Sequence, residues 1–146
     1  MRRFAVLTIV FTMFLSRSIA AEAPAAPPHS WLFGAWVGGM FPPPATLSTQ
    51  ECLSQPMVIF TRDVVMRATM TSPTYLERQI STVRATTTGF EFKFVPATPQ
   101  PPETEADVSF GCNDPDGLVV QRQGENQIAF PGCTQFPFPL VRCGTH

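Results

Sequence analysis

Histidine is nearly missing from this chain, with His29 and the terminal His146 the only two. Serine and cysteine nucleophiles ordinarily rely on a neighbouring base, most often histidine, so neither kind of triad can be assembled. The same shortage leaves no ligand set for zinc or a redox metal, and no cofactor is expected. Clustered cations are also lacking: Arg62, Arg67, Arg78, Arg84, Lys93, Arg122 and Arg142 are scattered along the chain. A nucleic-acid partner needs grouped positive charge to neutralise phosphates, so none is expected. Beyond residue 20 there is no apolar run of membrane-spanning length, and no cysteine lies near the leader to carry a lipid. No stable membrane anchor is therefore expected after cleavage.

The sequence does begin with an export leader. Arg2 and Arg3 precede the apolar run from Phe4 to Leu15, and Ser18-Ile19-Ala20 supplies the small-x-small cleavage site. Cutting after Ala23 would put Pro24 first in the mature chain, so residues 1–20 are assigned to the signal peptide. Its loss removes Arg2, Arg3 and Arg17 and leaves seven basic residues against eleven acidic ones, a net charge of −4. The product is expected to be soluble, in the periplasm or secreted. There, oxidation turns Cys52, Cys112, Cys133 and Cys143 into disulfide candidates.

The mature chain has the length of one domain, and the whole sequence holds sixteen prolines. Residues 21–29 are rich in alanine and proline and read as a tether, with the folded domain at 30–146. Trp31 to Gly39 is aromatic and suits a first strand, which Phe41-Pro42-Pro43-Pro44 then ends. Met57 to Thr61 and Val64 to Met70 flank an Arg62-Asp63 turn and predict a hairpin. Past a Ser72-Pro73 break, Tyr75 to Ala85 carries β-branched residues and reads as a strand. Phe90-Glu91-Phe92-Lys93-Phe94 alternates with period two, the signature of a half-buried strand. Residues 96–107 form a polar, proline-rich outer loop, followed by Val108, Phe110 and Cys112 on one face. Asp114-Pro115-Asp116-Gly117 is a turn, Gly124-Glu125-Asn126 joins two more strands, and Leu140 to Cys143 is the last. Eight or nine short strands without helical crossovers predict an all-β antiparallel meander, closed as a barrel or folded as a sandwich.

Four cysteines allow three pairings. The hairpin register brings Cys112 near Cys133, which leaves Cys52 to join Cys143 and tie the early strands to the last one. Cys133 with Cys143 is the alternative, pinning only the Phe136-Pro137-Phe138-Pro139 segment.

Met66, Met70, Phe90, Phe92 and Phe94 are candidates to line an apolar ligand site, and Arg78 lies in the alternation that would point it inward towards an anion. Glu77 with Glu91, or Asp63 with Glu77, is a pair to consider for acid and base chemistry across neighbouring strands. Asn113 to Gly117 has the look of a calcium-loop fragment, but it lacks a later bidentate glutamate and has the proline-glycine order of a turn. The aromatic-proline segments Phe41–Pro44 and Phe136–Pro139 suit either a barrel plug or a protein contact.

Trp31-Leu32-x-Gly-x-Trp36 at the opening of such a meander resembles the G-x-W start of lipocalin-like barrels and of similar small bacterial envelope domains. The resemblance implies a closed barrel in which Trp36 packs at one end beneath an arginine from a late strand, for which Arg142 is the counterpart. It implies binding of a small apolar or amphipathic ligand without catalysis. Disulfide-stapled periplasmic barrels that inhibit lysozymes or proteases look similar, and imply an envelope protein as the partner instead. Fold alone does not separate the two.

Overall fold

Turns supplied every few residues make neighbours of consecutive strands, and the resulting meander closes on itself. The structure is a computed structural model describing residues 25–43, 47–54, 57–69, 72–97 and 109–144. The expected leader and its cleavage site, the first part of the tether, Pro44, Met70, Val108, His146 and most of the 96–107 loop lie outside the described residues.

The strands are β1 (Gly34–Gly38), β2 (Met57–Phe60), β3 (Val64–Thr69), β4 (Ser72–Ala85), β5 (Gly89–Phe94), β6 (Gly117–Arg122), β7 (Gln127–Ala129) and β8 (Leu140–Arg142). They form one closed antiparallel barrel in sequence order, so the barrel alternative is the one adopted. β1 closes against β8 through Trp36↔Arg142, Val37↔Val141 and Gly38↔Leu140. β4 spans 14 residues and pairs along one half with β3 (Val64↔Gln79) and along the other with β5 (Ala85↔Phe90). That stagger is the shear a small barrel needs to close. The Ser72-Pro73 break falls inside β4, at its first two residues, where a proline costs the ladder little.

Side-chain hydrogen bonds set two of the local features. Thr61 Oγ1 accepts from the Val64 N–H at 3.0 Å and donates to the Val64 carbonyl at 2.8 Å, sealing the β2–β3 turn. Between β1 and β2 lies a helix not expected from the sequence, α1 (Thr49–Ser54). Its start is a capping box: Ser48 Oγ accepts from the Glu51 N–H at 3.2 Å, and Glu51 Oε2 accepts from the Ser48 N–H at 2.7 Å. Those bonds hold the Glu51 carboxyl below its usual range, the backbone one most strongly. α1 carries Cys52 to Cys143, and Cys112 joins Cys133, which is the pairing favoured by register. Leu140 and Arg142 point inward, so Cys143 lies on the outer face and the first disulfide fastens the β1–β2 crossover against the seam.

The interior is a continuous cluster including Trp36, Phe60, Phe92, Leu118, Val120, Ile128 and Leu140, all fully buried. Phe110, Phe130 and Phe136 stop one end with ring contacts of 5.4–6.1 Å. At the other end a 3-10 turn, Pro28–Leu32, folds into the mouth. Its presence moves the start of ordered structure ahead of Ser30: His29, expected in the tether, is only 5% exposed, with ring centroids of Phe33 and Phe92 at 5.3 and 5.6 Å. The first strand accordingly begins at Gly34 and not at Trp31.

Stability measurements test both the plug and the staples. Among the described residues neither His29 ring nitrogen has a hydrogen-bond partner, so the imidazole acts as an apolar plug. His29→Ala should cost about 2 kcal/mol through the cavity it opens, whereas His29→Phe should be neutral or stabilising, both read by urea denaturation. A tether residue would leave both variants like the parent. Replacing Cys52 and Cys143 by serine, which opens a loop of 91 residues, should cost about 4–5 kcal/mol, and the corresponding Cys112 and Cys133 change, with 21, about 3 kcal/mol.

Candidate functional site

Arg78 is the sequence candidate whose placement decides most. It stands opposite Val65 in the β3–β4 ladder, and since Val65 is fully buried, both side chains face inward. Only 3% of Arg78 is exposed, and its guanidinium lies 5.0 Å from the centroid of the Phe94 ring. It donates to Asp116 Oδ1 at 2.5 Å and to the Pro115 carbonyl at 3.0 Å. The Asp114–Gly117 turn delivers that carboxylate: the Asp116 N–H donates to Asp114 Oδ1 at 3.0 Å and the Gly117 N–H to the Asp114 carbonyl at 3.2 Å. Arg78 is thus an inward arginine, as the alternation suggested, but its charge is met within the chain. The acidic turn is similarly engaged, with Asp116 on Arg78 and Asp114 on Lys93 at 2.5 Å. A cation ligand set would have to give up both pairs.

Phe90, Phe92 and Phe94 share the inner face of β5 and are buried. Their neighbours are other rings: Trp31 at 6.0 Å and His29 at 6.1 Å from Phe90, Phe60 at 5.6 Å from Phe92, and Phe110 stacked 5.7 Å from Phe94. Such packing gives each ring a partner within the core.

Met66 does not join them. In β2 and β3 the facing pairs are Phe60↔Val65 and Val58↔Arg67, and all four side chains are buried, so Met66 turns to the outer face. Met66 was expected to line an apolar site with the β5 phenylalanines, and its outward position takes it out of that set. Arg67 takes the inner position because tertiary partners accommodate it: its Nη1 donates to Gln135 Oε1 at 2.5 Å and its guanidinium lies 5.7 Å from the Phe110 centroid. The register sets apart the carboxylates considered for acid-base work: Glu91 stands opposite Arg84, seven residues along β4 from Glu77, and Asp63 accepts at its carbonyl from the Ile80 N–H, three residues from Glu77. Glu91 binds Arg84 and approaches Lys93, while Glu77 sits opposite the outward Met66.

At the seam, Arg142 lies over Trp36 with its guanidinium 4.3 Å from the ring centroid. Its Nη1 donates to the Phe33 carbonyl at 3.0 Å and its Nη2 to that of Trp31, while Trp36 Nε1 donates to the Leu32 carbonyl at 2.8 Å. The Trp36 and Arg142 pairing named from the opening motif is present. Partial burial, and then the charge of Arg122, hold the Arg142 pKa below the usual arginine range.

At the opposite end the Phe136–Pro139 segment is joined to Gly39, two residues before Phe41. The Phe138 N–H donates to the Gly39 carbonyl at 2.8 Å and the Gly39 N–H to the Pro139 carbonyl at 3.3 Å. Gly39 has φ +85°, and a Cβ there would stand 2.5 Å from Phe136 Cδ1, so only glycine lets the backbone lie on that buried ring. Phe136 is the plug, as one reading of its segment anticipated. Phe138 and Phe41 are exposed by 38% and 59%, and Met40, which follows Gly39 in the chain, by 40%. A cleft of about 490 Å³ runs alongside, lined by Phe130, Pro131, Phe136, Pro137 and Phe138 with Gln121. Sequence reasoning singled out both segments without joining them; Gly38-Gly39 was the available signal of a close backbone approach.

Acid should loosen the outer wall. The Asp114 carboxyl is held below its ordinary value chiefly by the Lys93 hydrogen bond, and that of Glu91 chiefly by Arg84. Depressed carboxylates stabilise the fold above their unfolded values of about 4, and that contribution is lost as pH falls through the lowered ones. The urea midpoint should therefore hold steady from neutral pH to about 5 and fall below about 4, with a shallower fall in Asp114→Asn. In comparisons with known proteins, no family model, curated protein or solved structure matches the chain.

Proposed function

We propose that this chain is exported, cleaved after Ala20, and works in the periplasm or outside the cell as a non-enzymatic binding module. Its partner is an envelope or secreted protein, engaged through the aromatic-proline face. The observation that supports this reading is the joining of Phe138 to Gly39 by backbone hydrogen bonds, which brings the exposed Phe138 and its cleft to the chain just before the exposed Met40 and Phe41. Prolines on both segments restrict the backbone before binding, so docking costs little chain entropy. Partly exposed aromatic side chains of this kind are the usual anchors of protein interfaces.

The competing reading, a small apolar ligand held among Phe90, Phe92 and Phe94, needs room where the described rings already contact one another. Two disulfides suit an oxidising compartment, which agrees with export.

A photoreactive phenylalanine analogue at position 41 tests the proposal in the native envelope, with one at the exposed Val119 on the barrel wall as control. Residue 41 should cross-link one protein stoichiometrically and residue 119 should not, and Phe138→Ser should weaken capture about tenfold. No cross-linked protein at 41, or the same product from both positions, would contradict it.

A further inference from the structure

At the end of the barrel where β1 begins, a second cleft of about 620 Å³ lies between the β4–β5 turn and the β6–β7 turn. The Arg122 N–H donates to the Thr88 carbonyl at 2.8 Å and fixes one wall to the other. Trp31 and Phe90 form the floor, the exposed Thr86, Thr87 and Thr88 one side, and Arg122 the other.

The charges at this end differ from the ion-paired cations of β4 and β5. Arg78, Arg84 and Lys93 each meet a carboxylate. Arg122 and Arg142 instead meet neutral groups. Arg122 lies over the Trp31 ring at 4.8 Å and its Nε donates to the Gly124 carbonyl at 3.1 Å; Arg142 lies over Trp36 and donates to two carbonyls. Among the described residues, no carboxylate pairs with either guanidinium. Two like charges held near one another without a counter-ion are unfavourable, and an incoming anion relieves that repulsion. Arg122 commits only its Nε to the chain, so its outer fork can face an oxyanion, with threonine hydroxyls alongside as further donors.

We propose that this cleft binds a small organic oxyanion, a phosphate or carboxylate on an organic body, with Arg122 as the principal contact. The cleft is open and wide enough for an organic body, for which Trp31 and Phe90 supply apolar surface. The anion role considered for Arg78 belongs to Arg122, because Asp116 already occupies Arg78. The site stands apart from the aromatic-proline face, and either proposal can fail without the other.

Trp31 reports on the cleft directly, since the only other tryptophan, Trp36, is buried under Arg142. The oxidised mature protein is titrated with inorganic phosphate, glucose 6-phosphate and benzoate, with glucose and sodium chloride at matched ionic strength as controls. Glucose 6-phosphate or benzoate should change the emission saturably, with Kd of about 0.1–1 mM, and the stronger of the two names the oxyanion preferred. Inorganic phosphate should bind more weakly than the better organic probe. Arg122→Gln, an exposed position whose fold is checked by circular dichroism, should weaken binding about tenfold or more. Trp31→Phe should abolish the signal, and added salt should weaken the response several-fold. The proposal is overturned if no probe exceeds the sodium chloride control, if Arg122→Gln binds like the parent, or if the response survives in Trp31→Phe.

Discussion

The pairing of the first strand with the last is the constraint from which the rest of this structure follows. Three residue pairs join β1 to β8, too short a ladder to hold a barrel shut by hydrogen bonds alone. Two other contacts reinforce it. Arg142 leaves β8 to cover Trp36 of β1 and ties down the Trp31 and Phe33 carbonyls, while Cys143 just beyond holds α1 through Cys52. Closure removes the exposed edges that an open meander would offer to other chains. It also fixes the inward set of every strand, because a register slip of one residue at the seam would turn Trp36 and Leu140 outward.

A barrel of eight strands encloses little space, and here aromatic residues occupy it from both ends. His29 and Trp31 enter from one side and Phe110, Phe130 and Phe136 from the other, meeting the β5 phenylalanines between them. These rings pack on one another across the interior. Among the described residues, exposed rings backed by prolines lie at one end, and two guanidinium groups with no carboxylate partner at the other.

Much of this was legible because local chemistry and fold agree. The Arg62-Asp63 and Gly124–Asn126 turns, the alternation of β5 and the register that pairs Cys112 with Cys133 are all short-range signals. The features that escaped depend on contacts distant in sequence. Arg67 takes an inner position only because Gln135 and Phe110 wait there, so apolar patterning alone assigned the wrong face of β3 to the interior. His29 looked like tether because nothing in the Ala/Pro composition announces a plug, and its burial comes from β5 rings. α1 was missed although Ser48-Thr49-Gln50-Glu51 spells a capping box, since six residues have too little periodicity to register as a helix. Of the candidate ligand residues, alternation placed Phe90, Phe92, Phe94 and Arg78 inward, as found. That Asp116 would neutralise Arg78 could not be read without the register of the turn against β4.

The central claim is that an oxidised, closed barrel filled with its own side chains leaves recognition to its outer surfaces. Native mass spectrometry of the protein isolated from its own envelope tests this most directly. The account predicts a chain with four cysteines oxidised, carrying either no adduct or one that a protein partner or a displaceable small anion explains. A lipid or other apolar molecule retained at one per chain, and released only when the barrel unfolds, would contradict it.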